Sequence, residues 1–200
     1  AGRFDDEIVP VTVPGKKGDT IVSADEGPRS DSTLEALARL NPAFQPDGGS
    51  VTAGNAPGIT DGAAALVISS EGALNGATPI ARIVGYAQAD VAPEWLFEAP
   101  IHGVRRLIER VGGGIDDFDL IEINEAFAAQ VLADGNELGF DWERVNVNGG
   151  AIALGHPIGA SGARVLTTLL YELRRRGGGK GLATLCLGGG GAVAMAIETV

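Results

Sequence analysis

Ser161-Gly162-Ala163-Arg164-Val165-Leu166-Thr167-Thr168-Leu169-Leu170-Tyr171-Glu172-Leu173-Arg174-Arg175-Arg176 decides the fold class, together with two apolar runs that follow it. These are Leu182-Ala183-Thr184-Leu185-Cys186-Leu187 and Ala192-Val193-Ala194-Met195-Ala196-Ile197. Ala163, Leu166, Leu169, Leu170 and Leu173 recur at helical spacing, which predicts a helix over 161–176 with that stripe buried. Three arginines in its last turn suit the negative helix end. The apolar runs read as strands, joined as a hairpin by Gly188-Gly189-Gly190-Gly191. They lack polar alternation, so both faces of their sheet should be covered.

Working outward, Pro79–Tyr86 and Phe118–Ile123 read as strands and Arg144–Val147 as a short one. Val104, Leu107, Ile108 and Val111 give a helix closed by Gly112-Gly113-Gly114. A second helix runs from Ala126 to Leu138 and ends at Gly139. Ala63–Ile68 is a small-apolar run, either a buried strand or a short helix. Helices alternating with strands, then a hairpin, predict an α/β domain with a mixed sheet. Residues 1–60 are less regular. Ile8–Val13 and Thr20-Ile21-Val22 read as short strands around a Gly15–Asp19 turn, with Pro10 marking an edge. Ser32 with Glu35 forms a capping box for a helix that Pro42 ends.

Composition bounds the function. The 200 residues carry 15 Lys plus Arg and 26 Asp plus Glu, a net charge of −11, which argues against nucleic acid as partner. The charge is uneven: residues 145–200 hold 5 basic and 2 acidic side chains, and 13 of the 31 glycines. Chemistry is expected in that glycine-rich quarter. A single cysteine excludes an internal disulfide and fits a reducing, cytoplasmic compartment. No run of ~18 apolar residues suggests a membrane span. The chain opens at Ala1 without a signal-like segment, and the expectation is that it starts inside a longer protein. No Cys or His pair stands at metal spacing, so no metal is expected.

Single motifs are ambiguous. Asn124-Glu125 follows a buried strand, at the edge where α/β sites form, or else Asn124 only caps a helix. His156, in Gly155-His156-Pro157-Ile158-Gly159, stands in a small-residue loop before a helix N-terminus, where backbone could approach a ligand; it could equally be structural. His102 reads as a surface residue. Cys186 either packs as a small hydrophobe or offers a thiol at a strand end beside bare amides. Gly159-Ala160-Ser161-Gly162-Ala163 nearly matches a hydrolase elbow, but Ser161 opens a helix and reads as its N-cap. A serine hydrolase built on Ser161 and His156 fails for want of an orienting acid.

Together the motifs are specific. Asn124-Glu125-Ala126-Phe127, Asn148-Gly149-Gly150-Ala151 with Gly155–Gly162, and Cys186-Leu187-Gly188-Gly189-Gly190 occur in the order found in the thiolases. Gly54–Ala63, Asp25–Arg29 and Leu40–Phe44 match as well. The chain resembles the C-terminal half of an acetyl-CoA acetyltransferase or 3-ketoacyl-CoA thiolase along essentially its whole length.

The resemblance implies a thiolase-like layered α/β/α domain with a mixed sheet over residues 59–200. Residues 1–58 would be the last part of the family's loop region. It implies an acyltransferase that joins two acyl-CoA thioesters by Claisen condensation, or cleaves a 3-ketoacyl-CoA with CoA. No cofactor is implied beyond the coenzyme A thioester substrates. The family's acyl-accepting cysteine lies in a first half absent from these residues, so the chain alone is expected to be inactive. Cys186 aligns with the acid/base cysteine, and His156 with the histidine that activates the first cysteine. Asn124 aligns with the residue that fixes an oxyanion-hole water, and the Gly188 N–H with half of a second oxyanion hole. Glu125 is expected to orient this set. Arg29 matches a CoA-contacting arginine; Phe44, Ala53 and Phe127 match pantetheine-tunnel positions. Two departures bear on acyl preference: Pro57 stands where a serine is common, and Leu96-Phe97-Glu98-Ala99 replaces Met-Gly-Thr-Gly, with Leu96 at the acyl end. Implied partners are acyl-CoA, CoA, the missing N-terminal half, and further copies in a homodimer or homotetramer. The competing reading is a non-catalytic CoA-binding or interaction module on the same fold.

Overall fold

The computed structural model describes residues 2–200. The chain runs β1 (Val11–Val13), β2 (Thr20–Val22), α1 (Leu34–Leu37), β3 (Ala81–Asp90), α2 (Ala99–Val111) and β4 (Leu120–Ile123). It continues through α3 (Ala128–Leu138), α4 (Ala151–Leu154), α5 (Ser161–Arg175), β5 (Lys180–Leu187) and β6 (Gly191–Thr199). Punctuation follows local chemistry. Pro100 opens α2, and Gly112 closes it at φ +80°. Gly139 ends α3 in the left-handed region at φ +75°.

Four strands form one mixed sheet in the order β3-β6-β5-β4. β3/β6 and β6/β5 are antiparallel, and β5/β4 is parallel with Ile123 opposite Thr184. Alternation along the strands divides the core in two. Ile121, Ile123, Leu182, Ala194 and Ala196 pack against Val104 and Leu107 of α2 and Val131 of α3. Leu120, Ala183 and Ile197 pack on the other side against Val165, Leu169 and Leu173 of α5. The result is the expected α/β/α layering. Burying each such Leu contributes ~1.5–3 kcal/mol, so α5 is held mainly by its apolar contacts with the sheet. No helix among the described residues is long and apolar enough to cross a membrane.

Several local expectations are corrected. The buried face of α5 is Val165, Thr168, Leu169, Leu170, Glu172 and Leu173, while Ala163 and Leu166 are only half-buried. Ala63–Ile68 forms neither strand nor helix; Val67 and Ile68 are exposed, and Leu66 alone leans on the α5 core. Arg144–Val147 is not a strand: a 3-10 turn (Trp142–Arg144) leads into a single bridge between Ile121 and Val145. The cap of α1 is Thr33, whose hydroxyl accepts the Ala36 N–H at 3.1 Å, one residue later than Ser32. β1 and β2 pair as a hairpin, with every residue exposed. The N-terminal segment is tied to α5 by two hydrogen bonds. Thr168 Oγ1 donates to the Glu7 carboxylate at 3.0 Å, and Arg175 donates to the Arg3 carbonyl.

Gly135 lies inside α3, where glycine is ~1 kcal/mol poorer than alanine. Its reason is steric: a Cβ there would press into the Trp142 ring and come within 2.9 Å of Phe140. Gly135→Ala is therefore expected to lower stability by about 1–3 kcal/mol despite its better helix propensity. Thermal denaturation checks this, and an unchanged or raised Tm would show that the Trp142 ring yields freely.

Candidate active site

Parallel pairing of β4 and β5 brings their C-terminal ends to one sheet edge. Ile123 ends β4, and the Asn124 N–H continues the ladder by donating to the Thr184 carbonyl at 3.0 Å. The Asn124 side chain is fully buried. Its Nδ2 lies 3.4 Å from His156 Nε2. His156 Nδ1 lies 2.6 Å from Ser161 Oγ, which donates to the Pro157 carbonyl at 3.0 Å. A hydroxyl has one proton, and Pro157 receives it. Nδ1–H must then donate to Ser161, leaving Nε2 as the lone-pair nitrogen facing Asn124. Burial first, then the charge of Arg164, holds the imidazole below its ordinary pKa, so it is neutral at pH 7.

The loop carrying His156 is anchored on both sides. Glu125 accepts from Asn146 Nδ2 at 3.1 Å and from the Ile152 N–H at 2.8 Å, at the first turn of α4. Gly150 is required there because a Cβ would collide with the Glu125 carboxyl. Asn148 Nδ2 donates to Glu172 of α5 at 2.9 Å. Burial alone would raise the Glu172 carboxyl, but Asn148, Arg176 and Arg175 outweigh it and hold it low. The segment before the sheet lies alongside: the His156 N–H donates to the Gly58 carbonyl at 2.8 Å. Gly155, at φ +97°, leaves room for the Thr60 side chain.

Other expected residues fall at varied distances from this pair. Cys186 is half-buried near the end of β5, opposite Ala192. Burial pushes its thiol up, and the charge of Asp134 adds to this. Gly188 is exposed in the turn between β5 and β6. Phe127 stands edge-on between Phe44 at 6.1 Å and Phe97 at 5.3 Å, so three separate segments converge in one aromatic cluster. The Asn55 carbonyl accepts the Ala128 N–H at 3.0 Å, which seats the loop holding Ala53 and Pro57 on the start of α3. Leu96 is half-buried in the 3-10 helix Pro93–Glu98. Arg29 is exposed, with Asp31 3.8 Å away. His102 is exposed, as read from the sequence.

Sequence reasoning missed two residues. Ser161 is not the N-cap of α5; that position is Ala160, and Ser161 instead fixes the His156 ring. Its place five residues after His156, across a helix start, was the available signal. Asn146 adopts φ +43° and acts as a substitute strand rung. Its side chain accepts the Ile123 N–H and donates to the Ile123 carbonyl, both at 2.9 Å. An Asn before Val147-Asn148-Gly149 gives no sequence sign of that.

The tautomer is testable. At pH 7, imidazole nitrogen shifts should report His156 as the neutral Nδ1–H form, with a titration midpoint below ~6.5. Ser161→Ala should mix the tautomers. An Nε2–H signal in the unsubstituted protein would contradict the hydrogen-bond assignment.

Two family descriptions match the chain: "Thiolase, N-terminal domain" over residues 1–72 and "Thiolase, C-terminal domain" over residues 77–199. An acetyl-CoA acetyltransferase of Paracoccus denitrificans is 54% identical over 200 residues, covering 99% of this chain and 51% of the relative. A beta-ketoadipyl-CoA thiolase of Pseudomonas aeruginosa is 56% identical, covering 100% and 51%. The crystal structure of the Bacillus anthracis acetyl-CoA acetyltransferase superposes with a TM-score of 0.96 at 52% identity, over all of this chain and 51% of that one. The human mitochondrial 3-ketoacyl-CoA thiolase gives 0.90 at 41% identity, with the same coverage. The chain thus spans about half the length of the curated relatives it matches. A match to the C-terminal domain across the whole sheet, with 54–56% identity to such enzymes, shows that the chain belongs to the thiolase family.

Proposed function

We propose that these residues form the C-terminal portion of a thiolase that condenses or cleaves acyl-CoA thioesters. The observation that carries this reading is the Asn124–His156–Ser161 chain at the edge of β4 and β5, with Cys186 on the neighbouring strand end. His156 Nε2, as the lone-pair nitrogen, takes the proton of an acyl-accepting cysteine supplied by the N-terminal portion. That sulfur attacks the thioester carbonyl and the CoA thiolate leaves. His156, now protonated at Nε2, donates to the carbonyl oxygen, beside a water held by Asn124. Cys186 protonates the departing CoA sulfur. As thiolate it then takes an α-proton from a second acetyl-CoA, whose enolate attacks the acyl-enzyme; the C–S bond breaks, and the first cysteine's sulfur leaves and recovers its proton from His156. The Gly188 N–H and the missing cysteine's N–H stabilise the oxyanion of that second half-reaction.

Coenzyme A enters as substrate, and no resident cofactor is invoked. Arg29 contributes to phosphate binding; Phe44, Ala53, Pro57 and Phe127 line the pantetheine path, and Leu96 the acyl end. The aromatic convergence at Phe127 supports this path. The N-terminal portion completes the subunit, and subunits assemble as a homodimer or homotetramer. A single free thiol supports a reducing cytoplasm. The rival reading, a non-catalytic CoA-binding module, gains nothing from a histidine held in one tautomer.

Two outcomes test the reading. The isolated 200-residue chain should show no acetoacetyl-CoA thiolysis, while the chain joined to its N-terminal portion should be active; turnover by the isolated chain would refute the division of labour. In the complete protein, Cys186→Ser should still form an acyl-enzyme with acetyl-CoA but lose condensation. His156→Ala should acylate slowly, since one oxyanion donor is worth roughly 10²–10³-fold. Acyl trapping by mass spectrometry reads both. Normal acylation in His156→Ala with none in Cys186→Ser would reverse the roles.

A further inference from the structure

No step above uses Asp134, which is completely buried in α3. It lies one turn beyond Val131, among the buried residues of the helix. Val131 shares a core with Leu182 of β5. Leu182, Thr184 and Cys186 alternate onto that same sheet face, opposite Ala196, Ala194 and Ala192. The 3-10 helix Pro93–Glu98 touches both α3 and β5, so three elements converge beside the end of β5. Gln130 Nε2 donates to Asp134 Oδ2 at 2.5 Å. Among the described residues, Asp134 Oδ1 and Gln130 Oε1 have no hydrogen-bond partner. A carboxylate there has one neutral hydrogen-bond partner and no solvent to screen its field.

We propose that Asp134 is a positioning residue for Cys186, its charge on the shared sheet face opposing thiolate formation and keeping the sulfur protonated. The electrostatics agree in sign. Burial lifts the Cys186 thiol above its ordinary range, Asp134 lifts it further, and a backbone hydrogen bond partly opposes them. Burial pushes the Asp134 carboxyl up to about 7 against the Gln130 hydrogen bond, and Glu98 adds to the rise. Above that pH the carboxylate is charged, in the range where a thiol would ionise.

The surrounding cations are engaged elsewhere. Arg105 of α2 meets Glu137 at 2.5 Å, and Arg106 and Arg110 donate to the Gln88 and Tyr86 carbonyls of β3. Arg164 of α5 stands by Glu122 on the opposite sheet face, and Glu198 of β6 pairs with Arg82. His156 is neutral and held by Ser161 and Asn124. A thiol held this way keeps its proton at neutral pH, and its thiolate, once formed, is the stronger base for an α-proton. That benefit rests on the role proposed above for Cys186; the charge coupling does not.

The test is alkylation of Cys186 by iodoacetamide across pH 6–10 in the complete protein, read by mass spectrometry of the peptide that contains it. Only the thiolate reacts. Asp134→Asn keeps the side-chain shape and removes the charge. The midpoint of the rate–pH curve should fall, and the rate at pH 7.5 should rise severalfold. Asp134→Thr, of similar size, should move the midpoint the same way and serves if the Asn variant does not fold. Loosening of the core would also lower the midpoint by relieving burial of the thiol, so Asp134→Glu, which disturbs the packing and keeps the charge, is the control: a fall there equal to that in Asp134→Asn overturns the proposal. An unmoved midpoint in whichever neutral variants fold also overturns it, whether or not the protein proves to be a thiolase.

Discussion

The parallel pairing of β4 with β5 is the constraint on which the rest depends. Parallel strands end at the same sheet edge, so the residue after Ile123 and the residues after Thr184 emerge together. The Asn124 N–H reaching the Thr184 carbonyl extends that pairing one residue past β4. This places Asn124 and Cys186 on adjacent chains with no long side chain needed to span between them. Antiparallel pairing would have put them at opposite ends of the sheet. The antiparallel β6 then closes the turn of glycines at the same edge, where Gly190 accepts from the Val91 N–H at 2.9 Å. Sites at the carboxyl ends of parallel strands follow from this geometry in α/β folds generally.

His156 is placed differently, by a loop without regular structure. Such a loop keeps its shape only if its polar groups are satisfied. Asn146 supplies a false strand rung to Ile123, Glu125 caps the first turn of α4, and Glu172 holds Asn148 to α5. The loop is thus fastened to the two elements that flank it, β4 and α5. Ser161 fastens the imidazole itself from the first residue of α5. Each support is one to three hydrogen bonds made by a single side chain.

The layers were legible from the sequence because alternation and helical spacing report burial directly. β5, β6, α2, α3 and α5 carry their apolar residues on one or two fixed faces, and glycine marks where they stop. What failed to read was of two kinds. Ala63–Ile68 is apolar enough for a strand, yet finds no strand neighbour among these residues; periodicity cannot tell whether a partner exists. Ser161 and Asn146 were misread or unread because a serine at a helix start looks like a cap, and Asn146 falls in the stretch Arg144–Val147 that reads as a short strand. Their partners are side chains or strand edges chosen by tertiary structure. The motif positions themselves, Asn124, His156 and Cys186, were readable as a set and ambiguous one by one.

The chain carries a net charge of −11, yet its interior moves toward neutrality. Burial is the largest cause at Glu122, pushed up to about 8, and at Asp134, pushed up to about 7. It also raises Cys186 and lowers His156, in each case favouring the uncharged form. Glu122 shows how strong this is: Arg164 lies 3.6 Å away, yet burial outweighs its charge and pushes the carboxyl up. The charge of Arg164 acts on His156 as well. That charge disfavours imidazolium and keeps the histidine a base. The thiol of Cys186 and the imidazole of His156 are in this way both favoured in their uncharged forms. Cys186 owes this to the packing of β5, whose apolar run was readable; His156 owes it to a loop whose supports were not.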